Sequence, residues 1–286
     1  MRFPAIFDKI QVQYTMQPLV SIIITTKNEE SVLPDLFHSI KEQSYPNIEV
    51  LVVDNYSTDR TVSIARKHTK HIFLQGPERS AQRNFGARKS NGTHVLFLDA
   101  DMILRKDVVA SCVTGMQRKK VGGIIIPEKS FGQGFWTRVK SFERTFYVGD
   151  DSIEAARFFS KKIFTEIGGF DETISGPEDW DLSDRVRKKY GLSRIPEYID
   201  HNEGRLSLGG LMQKKYYYGL RTHQYMKKNA LSPASSKVFF FLRSSYYRHP
   251  TKIMEHPFLF TMMFFMLLCE FIAGSAGFII GKFRLT

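Results

Sequence analysis

Apolar positions along this chain fall first into short unbroken runs and then into helical spacing, several times over. Leu19 to about Thr25 is a run of mostly β-branched residues that predicts a buried strand, and "VLPDLFHSIKEQ" after it spaces its apolar residues for a helix. "IEVLVVDNYSTDRTVSIARKH" repeats the series as apolar run, polar loop and helix. "HIFL" is a short third run, followed by helical "SAQRNFGARKS", and "THVLFLDAD" is a fourth. This alternation predicts an α/β fold, a mostly parallel sheet flanked by helices and joined by right-handed crossovers. After "VGGIIIP" the pattern loosens. "FGQGFWTRVKSFERTFYVG" mixes aromatics with Arg138, Lys140 and Arg144, as an interfacial amphipathic segment or an ordinary surface helix would. Further on, paired glycines make a turn and "PEDWDLSDRVRKK" starts a helix with acids in its first turn, where the helix dipole favours them.

The polar residues interrupt this pattern at particular places. Thr25, Thr26, Asn28 and Glu29 end the first run, Asp54, Asn55 and Ser57 the second, and Asp99 and Asp101 the fourth. In open parallel sheets, ligands sit outside the carboxyl ends of the strands. One such loop is an ordinary capped turn; three of them collect acids and amides on one sheet edge. Asp99-Ala100-Asp101 is the sharpest case. Alternation in an extended chain puts both carboxylates on one side and Ala100 on the other.

The last long apolar run, from Pro257 to Ile280, carries one charge, Glu270. As a helix it reaches about 36 Å, enough for a hydrocarbon core of about 30 Å. A buried core helix is the bland alternative. Lys237, Arg243, Arg248 and Lys252 precede it and a short basic tail follows, which would keep the larger N-terminal part cytoplasmic. Glu270 should face another helix or a polar group. The organisation expected is an extension over 1–18, a catalytic-type domain over 19–230, a juxtamembrane segment over 231–256 and a single-pass or re-entrant membrane helix over 257–281. "MRFPAIFDKIQVQ" is too short and too charged for a signal peptide.

Charge adds little by itself. A formal net charge of +12 suits an anionic membrane or a phosphorylated substrate, and no nucleic-acid-reading motif accompanies it. Cys112 and Cys269 form no metal pattern and fit a reducing compartment.

"SIIITTKNEESVLPDLFHSIKEQSYPNIEVLVVDNYSTDRT", then "DAD", then "GGFDETISGPEDWDLSDRVR" resemble glycosyltransferase family 2, the inverting nucleotide-sugar transferases of the GT-A fold. The resemblance runs from about Leu19 to Arg205, and the ordered set is far more specific than a lone Asp-x-Asp. It implies a UDP-, GDP- or dTDP-sugar donor and a Mn2+ or Mg2+ ion held by Asp101, with Asp99 on the metal or the ribose. Thr26, Asn28, Glu29, Asp54 and Ser57 would line the nucleoside site, and Arg79 and Arg83 would lie near its phosphates. His201, after the acidic helix, would reach the metal or diphosphate, and Lys214 or Arg205 would neutralise the leaving phosphate.

An inverting displacement on a hydroxyl needs a base. By the family's Glu-Asp pair that base is Asp179, with Glu178 orienting the acceptor. Asp181 is the rival, about 200° away around the helix. "DADMILRKDV" lacks the Gln and prolines that follow the metal motif in polyprenol-phosphate sugar synthases. With "PEDWDL", this favours a hydroxyl on a lipid or lipid-linked glycan over a phosphate acceptor. A polyprenol-phosphate synthase remains the alternative, and a membrane-attached binding protein without catalysis is a second. "TTKNEE" is not the Gly-rich loop of a nucleotidyltransferase.

Overall fold

The computed structural model describes residues 17–228 and 243–284. The four apolar runs are strands β1 (Val20–Thr26), β2 (Ile48–Asp54), β3 (His71–Leu74) and β4 (His94–Asp99). All four are parallel, with β1 between β2 and β4 and β3 outside β2. Helices α1 (Leu33–Lys41), α2 (Thr61–Ala65) and α3 (Arg79–Lys89) return the chain between them. Alternation along the strands feeds two cores. Ile22, Ile24, Val52, Leu96 and Leu98 pack on one face of the sheet. Ile23, Val53, Val95 and Phe97 pack on the other. Gly86 is required where α3 crosses β1, because a Cβ there would stand 2.5 Å from the Ile23 side chain.

The second half is more irregular. In chain order it holds β5 (Met102–Leu104), α4 (Val108–Lys119), β6 (Gly123–Ile125), β7 (Glu128–Phe131), α5 (Phe135–Arg144), β8 (Ala156–Ser160), α6 (Lys161–Glu166), α7 (Glu178–Tyr190), β9 (Leu192–Arg194) and β10 (Ile199–Asn202). Strand β8 runs antiparallel between β4 and β6, and β9 closes that edge, giving a seven-stranded sheet in the order β3-β2-β1-β4-β8-β6-β9. A second sheet, β5-β10-β7, stands beside it. Because β4 feeds β5 through Ala100 and Asp101, the seam between the two sheets falls at the paired acids.

The remaining helices are α8 (Leu208–Lys228), α9 (Ser244–Tyr247), α10 (Pro250–Glu255) and α11 (Pro257–Arg284). The long apolar segment is therefore one helix, as its pattern predicts, and it is long and apolar enough to cross a membrane. It does not stand apart. Met263, Met266 and Leu267 of α11 share a third core with Val139, Phe142 and Phe146 beside them and Leu211 of α8. Glu270 is buried and pairs with Lys140 of α5 at 3.0 Å and Lys215 of α8 at 3.6 Å, the polar partners its place in an apolar helix demands. Residues 1–16 of the extension, and Lys237 with the rest of 229–242, lie outside the described residues.

Candidate active site

Register brings the strand ends level. Thr26 stands opposite Asp54, and Thr25 opposite Asp99. Asp54 is fully buried and accepts from the Thr26 hydroxyl at 2.7 Å, the Ser57 hydroxyl at 2.6 Å and the Ser57 N–H at 2.7 Å. Three of a carboxylate's roughly four acceptor positions are thus engaged within the protein, and Asp54 holds the loop after β2 in shape. Asn28, in the left-handed region at φ 57, joins this loop to the first one. Its N–H donates to Ser57 Oγ at 2.8 Å and its Oδ1 accepts from the Thr58 N–H at 2.9 Å. Beside these loops lies a cleft of about 900 Å³ lined by Asp54, Tyr56, Ser57, Arg66, Lys70 and Ile72 among others. Tyr56, 60% exposed, was not foreseen from the sequence as a site residue.

Arg79 and Arg83 lie one turn apart on α3, so both point to the same place. Arg83 is fully buried and bridges two acids, Asp99 Oδ1 at 2.9 Å and Asp179 Oδ1 at 2.7 Å. Arg79 lies 3.9 Å from Asp99, 3.5 Å from Glu178 and 3.1 Å from the Tyr218 hydroxyl. Arg157 from β8 comes within 3.7 Å of Asp99. Burial alone would raise the Asp99 pKa, but these three guanidinium groups hold it well below the ordinary carboxylate value. Asp99 is therefore turned towards arginines. Arg157, missed in the sequence, had a signal: a lone cation in the apolar run "ARFFS".

Helix α7 starts at Glu178, and the three acids of its first turn have different surroundings. Asp181 is fully buried and held by Arg185 at 2.8 Å and Lys228 at 3.0 Å. Glu178 is 2% exposed, and burial and the nearby Asp179 raise its pKa. The Asp179 side chain alone of the three is substantially open, at 28%.

Asp101 lies at the sheet seam. Met102 pairs with His201 in the β5–β10 ladder, which sets His201 Nε2 3.2 Å from Asp101 Oδ2. The other ring nitrogen meets Glu128 of β7 at 3.1 Å. Burial pushes His201 down, yet the hydrogen bonds to Asp101 and Glu128 outweigh it and lift the pKa to about 10. Glu29 is pushed up to about 7, first by burial and then by Asp101, Asp99 and Asp59. Asp101 Oδ1 is buried and has no hydrogen-bond partner. An orphaned carboxylate oxygen amid surplus negative charge fits a divalent cation. Asp101 is arranged for one, and His201 beside it would join as a ligand by giving up the ring proton its two carboxylate partners hold. Among the described residues no three His, Cys, Asp or Glu side chains form a ready-made ligand cluster.

A second cleft, of about 430 Å³, opens between α3 and α8, lined by Glu78, Arg79, Ser175, Gln213, Lys214, Tyr217 and Tyr218 among others. Glu78 accepts there from Ser175, Tyr217 and Arg221, each at 2.9 Å. Arg79 belongs to this cleft and to the acid cluster alike. Arg205 packs instead near Gly134, ahead of α5.

Residues 21–170 match the family model described as "Glycosyl transferase family 2". A beta-monoglucosyldiacylglycerol synthase of Nostoc is 29% identical over 194 residues, covering 59% of this chain and 41% of its own. The poly(ribitol-phosphate) beta-N-acetylglucosaminyltransferase of Staphylococcus aureus is 30% identical over 132 residues, covering 39% of this chain and 23% of its own. This chain thus spans less than half the length of either relative. Among solved structures, a mannosyltransferase from Pyrobaculum calidifontis in complex with GDP-Man and Mn2+ superimposes with a TM-score of 0.66 at 18% identity. That likeness covers 93% of this chain and 88% of the other, and it establishes the GT-A architecture.

Proposed function

This chain belongs to glycosyl transferase family 2, and on that premise we propose that it moves a sugar from a nucleotide-sugar donor to a hydroxyl of a lipid or lipid-linked glycan at the cytoplasmic membrane face. The observation that carries the reading is the joining of Asp99, Arg83 and Asp179 into one ion-paired group, two residues in sequence from Asp101 and beside the cleft that Arg79 lines. The donor nucleoside occupies the cleft beside Thr26, Asn28, Glu29, Asp54 and Ser57, with Tyr56 against its base. Its diphosphate lies over Asp101 and His201.

Those two residues, with Asp99 beside them, would hold Mn2+ or Mg2+, which when bound supplies Lewis-acid charge to the leaving diphosphate. Arg79 turns a guanidinium to the same place, a second positive group for charge that develops as the glycosidic bond breaks. The acceptor enters by the cleft at Glu78, Gln213, Lys214 and Tyr217. Asp179 takes the hydroxyl proton. Arg83 engages its Oδ1 and fixes the carboxylate, leaving Oδ2 for the proton. The acceptor oxygen then bonds to the anomeric carbon, while the bond from that carbon to the phosphate oxygen breaks and its electron pair leaves with the nucleoside diphosphate. One displacement of this kind inverts the anomeric centre.

Relatives acting on a diacylglycerol glycolipid and on poly(ribitol phosphate) support a membrane-associated acceptor. A phosphate acceptor is the second reading, favoured by Arg79 and Lys214 in the acceptor cleft; it needs no base. Purified full-length protein titrated with UDP-, GDP- and dTDP-sugars, with and without Mn2+ or Mg2+, tests the reading. Metal-dependent binding of one donor is expected. Binding of none would leave a membrane-attached binding protein as the better account.

A further inference from the structure

We infer that α11 lies along one leaflet of an anionic membrane, its outer face in the lipid, and does not cross the bilayer. The inference rests on the membrane reading above and concerns its geometry. The helix is two-sided throughout its length. Met263, Met266, Leu267 and Glu270 are buried against the protein, and Gly277 and Gly281 meet the α8 backbone at Tyr216 and Leu220 too closely to admit a Cβ. Phe258, Phe265, Leu268, Ile272, Ile279 and Phe283 are exposed. Their spacing follows the helical repeat, so they form one stripe. The rings of Phe135 and Trp136 on α5 meet Phe258 and Phe265 at 6.0 and 6.2 Å and continue the apolar surface. So large an exposed apolar patch marks an interaction site.

What the buried face holds decides against crossing. A helix of 28 residues reaches about 42 Å. Glu270 stands at its middle, and in a crossing helix would lie near the centre of a hydrocarbon layer about 30 Å thick. Lys140 is 3.0 Å from Glu270. One turn further along α5, about 6 Å away, Arg144 holds Glu203 at 2.8 Å and reaches Glu128 at 3.7 Å. Glu128 holds His201, and His201 holds Asp101. Crossing would therefore carry the acids of the site to bilayer depth, where ionised groups are costly. On the opposite flank, α8 lies against α11 and hydrogen-bonds Glu78 through Tyr217 and Arg221. A helix lying in the membrane plane keeps all these contacts in water.

Charge selects the occupant. Exposed Arg138, Arg248 and Lys282 lie on α5, before α10 and at the end of α11, with Glu255 the exposed acid at the end of α10. Anionic headgroups complement this basic surround, whereas a second copy related by a twofold axis would oppose like charges.

The test uses the full chain with Cys269→Ser and a nitroxide on Phe265→Cys, Ile272→Cys or Ile279→Cys, all surface positions. It is mixed with vesicles of equal parts phosphatidylcholine and phosphatidylglycerol, and label depth is read from collisions with oxygen and with a water-soluble nickel complex. Equal shallow depths of about 5–10 Å at all three positions are expected. A profile with Ile272 far deepest overturns the in-plane geometry while leaving membrane attachment intact. No protection from nickel at any position sinks attachment as well. Labels already immobile and protected without vesicles assign the stripe to a second copy of the chain and overturn the inference.

Discussion

Asp99 and Asp101 entered as a matched pair, and the structure gives them different neighbours. Asp99 faces Arg83, Arg79 and Arg157, whereas Asp101 keeps a buried oxygen with no partner. Asp101→Ala should therefore abolish metal-dependent donor binding and turnover, as read by calorimetry with and without Mn2+. Asp179→Asn should lower transfer to a hydroxyl by at least about 100-fold, the scale of a lost general base, and leave donor affinity within a few-fold. Retained transfer would remove Asp179 from the base role. Glu29 reports the same concentration of charge through stability. Its folded pKa of about 7 lies above the ordinary 4.5, so the folded state keeps a proton that the unfolded chain has already released. That contribution is whole below pH 4.5 and is lost as pH rises through 7. Without metal, Glu29→Gln should gain nothing over the native chain at pH 4.5 and on the order of 1 kcal/mol at pH 8, allowing for solvent screening. Thermal melts at the two pH values in a chelator check this, and an unchanging gap would count against it.

Among elements, the parallel half was readable because each of its strands is an apolar run ended by polar residues, and because a helical stretch separates each run from the next. Its site residues were readable for the same reason, since Thr26, Asp54 and Asp99 are simply where the runs stop. The second half was not. Strands β6, β7, β9 and β10 have three or four residues each, too few for a period to declare itself. Glu128 and Arg157 gain meaning only when distant segments pair around His201 and Asp99. Glu270 was legible as a misfit, and its partners were not. With Lys140 and Lys215 beside it in a buried setting, Glu270→Ala should destabilise the fold by about 1–3 kcal/mol. That is less than a fully unpaired buried charge would cost, because Lys140 keeps Glu143 at 2.6 Å. Glu270→Met removes the charge but keeps the volume, so it isolates the loss of the carboxylate shared by the two lysines. A double-mutant cycle of Glu270→Met with Lys215→Met, read by chemical denaturation, should give a non-zero coupling energy, and additive effects would deny that ion pair its role.

For the whole molecule, the long apolar helix reads in sequence as an anchor appended to a finished domain, and the structure makes it part of that domain's packing. A detachable anchor leaves a complete core when removed. Here, removal of residues 257–286 would uncover Val139, Phe142, Phe146 and Leu211 and take away Met263, Met266 and Leu267, all buried. At about 1.5–3 kcal/mol for each fully buried side chain, the three lost from α11 alone contribute about 5–9 kcal/mol. The net stability of a domain is about 5–15 kcal/mol. Lys140 and Lys215 would also lose their shared carboxylate. A chain ending at His256 should therefore express as aggregate or melt at least about 10 °C lower, and its donor binding should fail together with its fold. The full chain in mild detergent should melt cooperatively and bind donor. A truncated form that stays monomeric, melts like the full chain and binds donor with the same affinity would show that α11 is only an anchor, and that its contacts with α5 and α8 contribute nothing to the active fold.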